Sequence, residues 1–272
     1  MNKLSTELDK RSLGMSGINM LFKCGEQFRR RYIMNEIVPP GIALIIGSST
    51  HKSIEVDLTE KKDTGKLAPG DLLAEIASEQ IKGAWDKGVI LNDDEKLAGK
   101  RATRNDAINT AIAMSNLHHE IVAPTIEPIN LEDYFSFDIS GTNWKLAGTS
   151  DIEEKVAGGI GLRDTKTAGK SPGKTDADDS RQLTMYSLKV LKQTGSLPKH
   201  IQQDYLIKNK TPKYVSQETE RTAGDIKTLL VCVAQAIKVI ESGIFTPCST
   251  SAWWCAPAYC GYFGTCKYRR RG

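Results

Sequence analysis

The chain has 272 residues, of which 39% are hydrophobic and 26% charged. That is ample for a buried core in one large or two small domains, and no apolar run approaches the roughly 18 residues that span a membrane. A net charge of only +4 excludes a global positive field, so any nucleic-acid contact must be local, as in the basic clusters "FRRRY" at 28–32 and "KYRRRG" at 267–272. The opening "MNKLSTELDKRSLGMSG" lacks an apolar core of signal-peptide type, which makes a cytoplasmic location the expectation.

In chain order, Ser16 to about Met34 carries apolar residues at helical spacing behind a capping serine. After the breaker "PPG" at 39–41, a second helix is predicted from about Ile42 through Lys61. Two more helices are predicted over 70–88 and 94–122, divided by "KGVILND". From Pro124 the pattern changes to short β-branched or aromatic stretches separated by Gly-rich turns. "PINLEDYFSFDI", "WKLAGTSDIEEKV" and "GIGLRDTK" read as successive antiparallel strands. Helical period returns in "TDADDSRQLTMYSLKVLKQ", starting at Asp178 to Ser180, followed by a strand at about 200–208 and a long helix over 217–242. Helices, a meander, a crossover helix and another strand imply an α/β (α+β) fold with a mixed central sheet flanked by helices.

Asp151 ends one predicted strand, and Asp164 lies on the next. If these strands pair as a hairpin, both carboxylates reach one sheet edge. Lys166, two residues past Asp164, leaves the same face of its strand. Two acids and an amine around one pocket suit phosphodiester hydrolysis. The carboxylates hold Mg²⁺ or Mn²⁺, and the lysine stabilises developing negative charge. His51 in "GSSTHKSIE" can add a nitrogen ligand, which favours Mn²⁺.

These residues fall in an order that resembles the PD-(D/E)XK nuclease superfamily in its RecB-like exonuclease branch. G-x-x-x-H-x-x-x-E matches Gly47, His51 and Glu55; G-x-x-D matches Gly148 and Asp151; D-x-K matches Asp164 and Lys166; and Q-x-x-x-Y matches Gln182 and Tyr186. Ser150 replaces the superfamily's nominal proline before the first acid. The resemblance implies a restriction-endonuclease-like core, with His51, Asp151, Asp164 and the Thr165 carbonyl as metal ligands. It also implies Asp151, Asp164 and Lys166 as catalytic residues. Gln182 and Tyr186, four apart on one helix face, are expected to steady Lys166 or touch DNA. Glu55 is expected to orient His51.

Cys24 and Cys232 stand alone, whereas Cys248, Cys255, Cys260 and Cys266 crowd the end of the chain. In a reducing compartment such crowding points to metal or cluster ligation. The C-x4-C-x5-C spacing from Cys255 fits zinc ribbons poorly, while three close thiolates and a remote one suit a [4Fe–4S] cluster. The layout resembles the iron–sulfur subgroup of the same nucleases, seen in AddB-type and CRISPR-adaptation enzymes. By that resemblance Cys24, Cys255, Cys260 and Cys266 are the ligands, with Cys248 as the substitute. Cys232, within "LLVCVAQAIKVI", reads as a buried small hydrophobe.

The resemblance therefore implies one nuclease domain over 1–272. Residues 1–123 form a helical part, 124–243 the core, and 244–272 a tail tied to Cys24. The expected activity is a Mg²⁺/Mn²⁺-dependent DNA exonuclease acting on single strands or duplex ends. Recombination, phage DNA metabolism and CRISPR spacer processing are possible settings, in a bacterial, archaeal or phage-infected cell. A homo-oligomer or recombination or CRISPR proteins are conceivable partners, and no membrane is. No G-x-x-x-x-G-K-[ST] motif is present to drive unwinding. The competing reading is an inactive nuclease-fold DNA-binding scaffold stabilised by the cluster. It predicts loss of a ligand or of the lysine, yet His51, Asp151, Asp164 and Lys166 are all present.

Overall fold

The computed structural model describes residues 11–269. The last three residues of the second basic cluster, 270–272, lie outside them. The chain forms two compact units: one from the chain up to Val38, Tyr134–Gly148 and Ala223 onward, the other from Pro39–Asp133 and Thr149–Thr222.

The second unit holds a mixed sheet of β2 (Pro128–Asp138), β3 (Lys145–Val156), β4 (Gly159–Ala168), β5 (His200–Ile207) and β6 (Lys213–Thr219), in which β2 and β3 also carry residues of the first unit. β3 and β4 form the expected antiparallel hairpin, β4 and β5 pair in parallel, and β6 closes the edge antiparallel to β5. A parallel pairing needs a crossover. Helix α7 (Arg181–Thr194) supplies it, with the Ser180 hydroxyl capping its first turn at Leu183 N–H.

Two helix contacts determine what each face of β4 presents. Long helix α3 (Ile42–Thr64) packs on one face, where a side chain at Gly47 would crowd Thr167 Oγ1 at 3.3 Å. α7 packs on the same strand from the side of Asp164 and Lys166. Alternation along β4 thus turns Thr165 and Thr167 to α3 and the acid and amine to α7. Ile54 and Leu58 of α3 share a core cluster with Ile152 and Leu206 of the sheet. A second cluster joins α3 to α4 (Gly70–Asp86) and α6 (Lys100–Leu117) through Ile42, Ile45, Ala77, Ile81 and Ala111.

The helix predicted over 94–122 is divided at Gly99, whose φ of 86° favours glycine, into α5 (Asp93–Ala98) and α6. The long helix predicted from 217 begins only at Ala223, as α8 (Ala223–Ser242), because 213–219 forms β6 instead.

In the first unit, β1 (Ser12–Leu13) pairs in parallel with Lys145 and Leu146. The helix predicted from Ser16 is broken into α1 (Met15–Lys23) and α2 (Gly25–Phe28), the latter widening into a turn closed by Met34 N–H on Arg29 O. The break is at Cys24, in extended conformation. Gly25 N–H donates to Thr246 O at 2.8 Å, and a Cβ on Gly25 would lie 2.7 Å from that oxygen. Only glycine lets the C-terminal segment approach this closely. Among the described residues no helix is long and apolar enough to cross a membrane.

Candidate active site

α3 brings His51 to the end of β4, where His51 Nε2 donates to Thr165 O at 2.7 Å. This bond turns Nδ1 toward two carboxylates, Asp151 at 3.6 Å and Glu132 at 3.8 Å. His51, Glu132 and Asp151 thus offer one donor atom each, all within 4.8 Å of one another. One imidazole nitrogen and two carboxylate oxygens form a donor set suited to a hard or borderline divalent cation.

Asp151 is held by donors from two elements, β4 and α7. Its Oδ2 accepts from Thr165 N–H at 3.3 Å on the α3 side, and its Oδ1 accepts from the Tyr186 hydroxyl at 3.2 Å on the α7 side. Burial and the neighbouring charge of Asp164 push the Asp151 carboxyl up to about 7. A buried acid so reluctant to ionise is one that a cation would favour. His51 is also raised: burial works against its charged form, but the nearby carboxylates of Glu132 and Asp151 outweigh it.

Asp164 is fully buried and faces Lys166, whose Nζ lies 2.9 Å from Oδ1 and 2.8 Å from Oδ2. Gln203 on β5, its register partner across the parallel pair, donates to Asp164 Oδ2 at 2.7 Å. Lys166 is raised above the ordinary lysine value. Burial opposes this, but Asp164 and Asp151 together overcome it. It is therefore an ammonium at neutral pH and serves as a charge, not as a proton acceptor.

Gln182 and Tyr186 complete a chain of hydrogen bonds. Lys166 donates to Gln182 Oε1 at 2.9 Å, Gln182 Nε2 donates to the Tyr186 hydroxyl at 2.5 Å, and that hydroxyl donates to Asp151. Burial and the two aspartates keep the phenol protonated, with its pKa well above the usual tyrosine range. Tyr186 is only 2% exposed, so it steadies the site from behind. Glu55 lines the cleft beside His51 and Glu132, where Lys52 holds it at 2.8 Å, and it stands outside the donor trio.

Glu132 is the site residue that sequence reasoning missed. In "NLEDY" it alternates like any exposed strand residue. Its φ of 45° breaks the extended geometry of β2 and re-aims its carboxylate. No local motif announces this.

In the first unit, Cys24, Cys248, Cys255, Cys260 and Cys266 all line one cavity, and none forms a disulfide. Cys248 N–H donates to Cys24 Sγ at 3.4 Å. Burial, reinforced by Cys24 and Cys255, pushes the Cys248 thiol up to about 12, and Cys260 is raised first by burial as well. Trp254 lines the same cavity and leaves its buried Nε1 without a partner. Cys232 lies apart on α8 and is half-buried, because it flanks the helix's packed stripe instead of lying within it. The arginines of "FRRRY" are engaged locally: Arg29 forks onto Glu26 at 2.7 and 2.9 Å, and Arg30 binds Glu36 and Thr265.

A sequence search among curated proteins gave no match. Among solved structures, a candidate exonuclease from Eubacterium rectale is similar with a TM-score of 0.58 at 14% identity, covering 94% of this chain and 91% of that one. A protein named SSO0001 aligns over 99% of this chain and 94% of its own, with a TM-score of 0.47 and 13% identity. The family model of the PD-(D/E)XK nuclease superfamily matches residues 12–267. With nearly the whole described chain covered, the protein belongs to the PD-(D/E)XK nuclease superfamily.

Proposed function

We propose that the protein is a Mg²⁺- or Mn²⁺-dependent deoxyribonuclease that digests DNA from ends. The observation that carries this reading is the convergence of His51, Glu132 and Asp151 next to the Asp164–Lys166 pair. A bound divalent ion would supply Lewis acidity toward the phosphoryl oxygen and a water acidified enough to attack it. His51 Nδ1, Glu132 and Asp151 would hold that ion, with Asp164 as the further carboxylate ligand that the D-x-K motif implies. The Thr165 carbonyl, expected as a further ligand, accepts from Nε2–H and so orients the imidazole, while its second lone pair remains for the ion. Lys166 supplies fixed positive charge where negative charge develops on the phosphate, and Gln182 holds its ammonium in place. All of these groups survive on this chain, so no observation favours an inactive scaffold.

A [4Fe–4S] cluster held by Cys24, Cys255, Cys260 and Cys266 fits the first unit. Five uncrosslinked thiols line one cavity, and a partnerless indole N–H waits there for an acceptor such as a cluster sulfur. Cys248, whose backbone N–H already serves Cys24, is the fifth thiol, and we assign it a supporting place. The cluster's role is to tie the tail to α2, with both units serving one nuclease domain.

The test is digestion of linear DNA labelled at the 5′ or the 3′ end, beside covalently closed circular DNA and RNA of the same sequence, by anaerobically purified protein with Mg²⁺ or Mn²⁺. Progressive loss of linear DNA alone is expected. Rapid cutting of the circle would refute the exonuclease assignment, and preferential cutting of RNA would refute DNA as the substrate. The products also separate trimming of short overhangs, as in spacer processing, from the long resection that recombination requires.

A further inference from the structure

Lys189 on α7 is fully buried, unusual for a lysine, and its ammonium sits among three oxygens: Ser150 Oγ at 2.7 Å, Glu153 Oε1 at 2.6 Å and Asp133 Oδ2 at 2.5 Å. Each partner has a further tie. Ser150 Oγ also donates to the Asp133 carbonyl at 3.4 Å, and Glu153 Oε2 accepts from Asn130 Nδ2 at 2.8 Å. Lys189 and Ser150 thus hold Asp133 while Glu153 holds Asn130, and together they fasten β2 to β3.

The position of this fastening matters more than its strength. Ser150 immediately precedes Asp151, and Asp133 immediately follows Glu132. The clamp therefore grips the residues next to both carboxylates of the donor trio. Between the two β2 anchors, Asn130 and Asp133, lies Glu132 with its φ of 45°, a conformation that a non-glycine residue keeps only where the surroundings enforce it. Strict alternation would send Asn130 and Asp133 to opposite faces of β2. The left-handed turn of the backbone at Glu132 breaks that alternation, so both reach the Lys189–Glu153 side while Glu132 turns toward His51.

We propose that Lys189 is a positioning residue: through Asp133 and Ser150 it sustains the backbone turn at Glu132 that aims its carboxylate at His51 and Asp151, and so sets the affinity of the site for its divalent cation. The serine in place of the superfamily's nominal proline then has a purpose, because a proline could neither accept from Lys189 nor donate to Asp133. Gln182, Tyr186 and Lys189 form one stripe of α7, on which the first two steady Lys166 and Asp151 and the third steadies Glu132.

The inference rests on the divalent-metal reading of the site. Removing Lys189 would leave Glu153 buried and uncompensated, so a Lys189 variant would confound folding with metal binding. Asp133, 38% exposed at its side chain, can be changed without that penalty. The experiment measures Mn²⁺ affinity of the full chain by calorimetry and by the electron paramagnetic resonance of free Mn²⁺, for wild type, Asp133→Asn and Glu132→Gln. Melting of each is followed in EDTA. Asp133→Asn is expected to weaken Mn²⁺ about tenfold, as loss of an outer-shell partner of a metal ligand does. Glu132→Gln should weaken it to a similar or greater extent, and both should melt near wild type without metal. If Glu132→Gln weakens binding and Asp133→Asn stays within twofold of wild type, the clamp is overturned and the metal site stands. If Glu132→Gln has no effect, Glu132 is not a ligand and the inference falls. If wild type binds no Mn²⁺, the metal reading and the inference fail together.

Discussion

Replacing Lys166 by methionine separates its catalytic part from its structural one. The ammonium lies 2.8–2.9 Å from an aspartate with no exposed surface. At that distance the Coulomb attraction is about 6 kcal/mol at an effective dielectric of 20 and about 1.5 kcal/mol in water. Breaking a buried pair costs about 3–5 kcal/mol, because the remaining charge is stranded. Two features favour the low end: the Lys166 side chain is 36% exposed, so water can reach the gap, and Gln203 still donates to Asp164. We therefore expect a loss of about 3 kcal/mol. With an unfolding entropy of about 2.1 cal/mol/K per residue, this lowers the melting temperature by roughly 5 °C. Adding Asp164→Asn removes the stranded charge and should recover most of that loss. Cleavage behaves differently. Loss of a preorganised charge costs about 10²–10³ in rate, and the double variant stays inactive despite its recovered stability. The assay is thermal melting beside single-turnover cleavage of labelled DNA for the four proteins of the cycle. A Lys166→Met protein that melts and cuts like wild type would refute the reasoning, as would a double variant whose activity returns with its stability.

Metal affinity should depend on pH, because Asp151, raised to about 7, must ionise and His51 must be neutral to bind a cation. Below pH 7 the Asp151 equilibrium alone weakens Mn²⁺ about tenfold per pH unit, and an affinity that is flat between pH 5.5 and 8 would contradict this. Stability in EDTA runs the other way. An acid whose folded value lies above its unfolded 3.8 contributes stability that is full below about pH 4 and lost as pH rises through 7, and added metal should reverse that loss. Tyr186→Phe removes the donor to Asp151 and should weaken metal binding several-fold at a stability cost of about 1 kcal/mol, measurable by calorimetry and melting. Cys260→Ala should abolish visible absorbance and iron content and lower the melting temperature, whereas Cys248→Ser should keep both; loss of colour in the Cys248 variant would reassign the fourth ligand.

His51, Asp151, Asp164, Lys166, Gln182 and Tyr186 were legible because each pattern reflects a local geometry. D-x-K follows from strand alternation, Q-x-x-x-Y from one helix face, and the glycine one turn before His51 from the close approach to Thr167. What the sequence concealed depends on neighbours distant along the chain. Strand β6 does not announce itself, and its last three residues fall in the helix predicted from 217, because an edge strand has only one packed side, on which Tyr214 reaches Asp204 at 2.6 Å. The buried pairing of Arg163 with Glu154 and Asp204 looks like surface charge until β3, β4 and β5 are aligned. The break at Cys24 exists because Thr246 must reach Gly25, and Glu132 enters the site through a left-handed backbone turn beside Asp133, which a lysine 57 residues after Glu132 holds. His118, fully buried with neither ring nitrogen partnered, is lowered to about 3, mainly by burial, and is therefore a neutral core residue.

The most direct test of the central claim is cleavage of end-labelled DNA by wild type and by Asp151→Asn, each with Mg²⁺, with Mn²⁺ and with EDTA. The account predicts cutting by wild type with metal, none in EDTA and none by the variant, which keeps its fold and its salt-sensitive affinity for DNA. Cutting that persists in EDTA or in Asp151→Asn would place the chemistry elsewhere in the molecule.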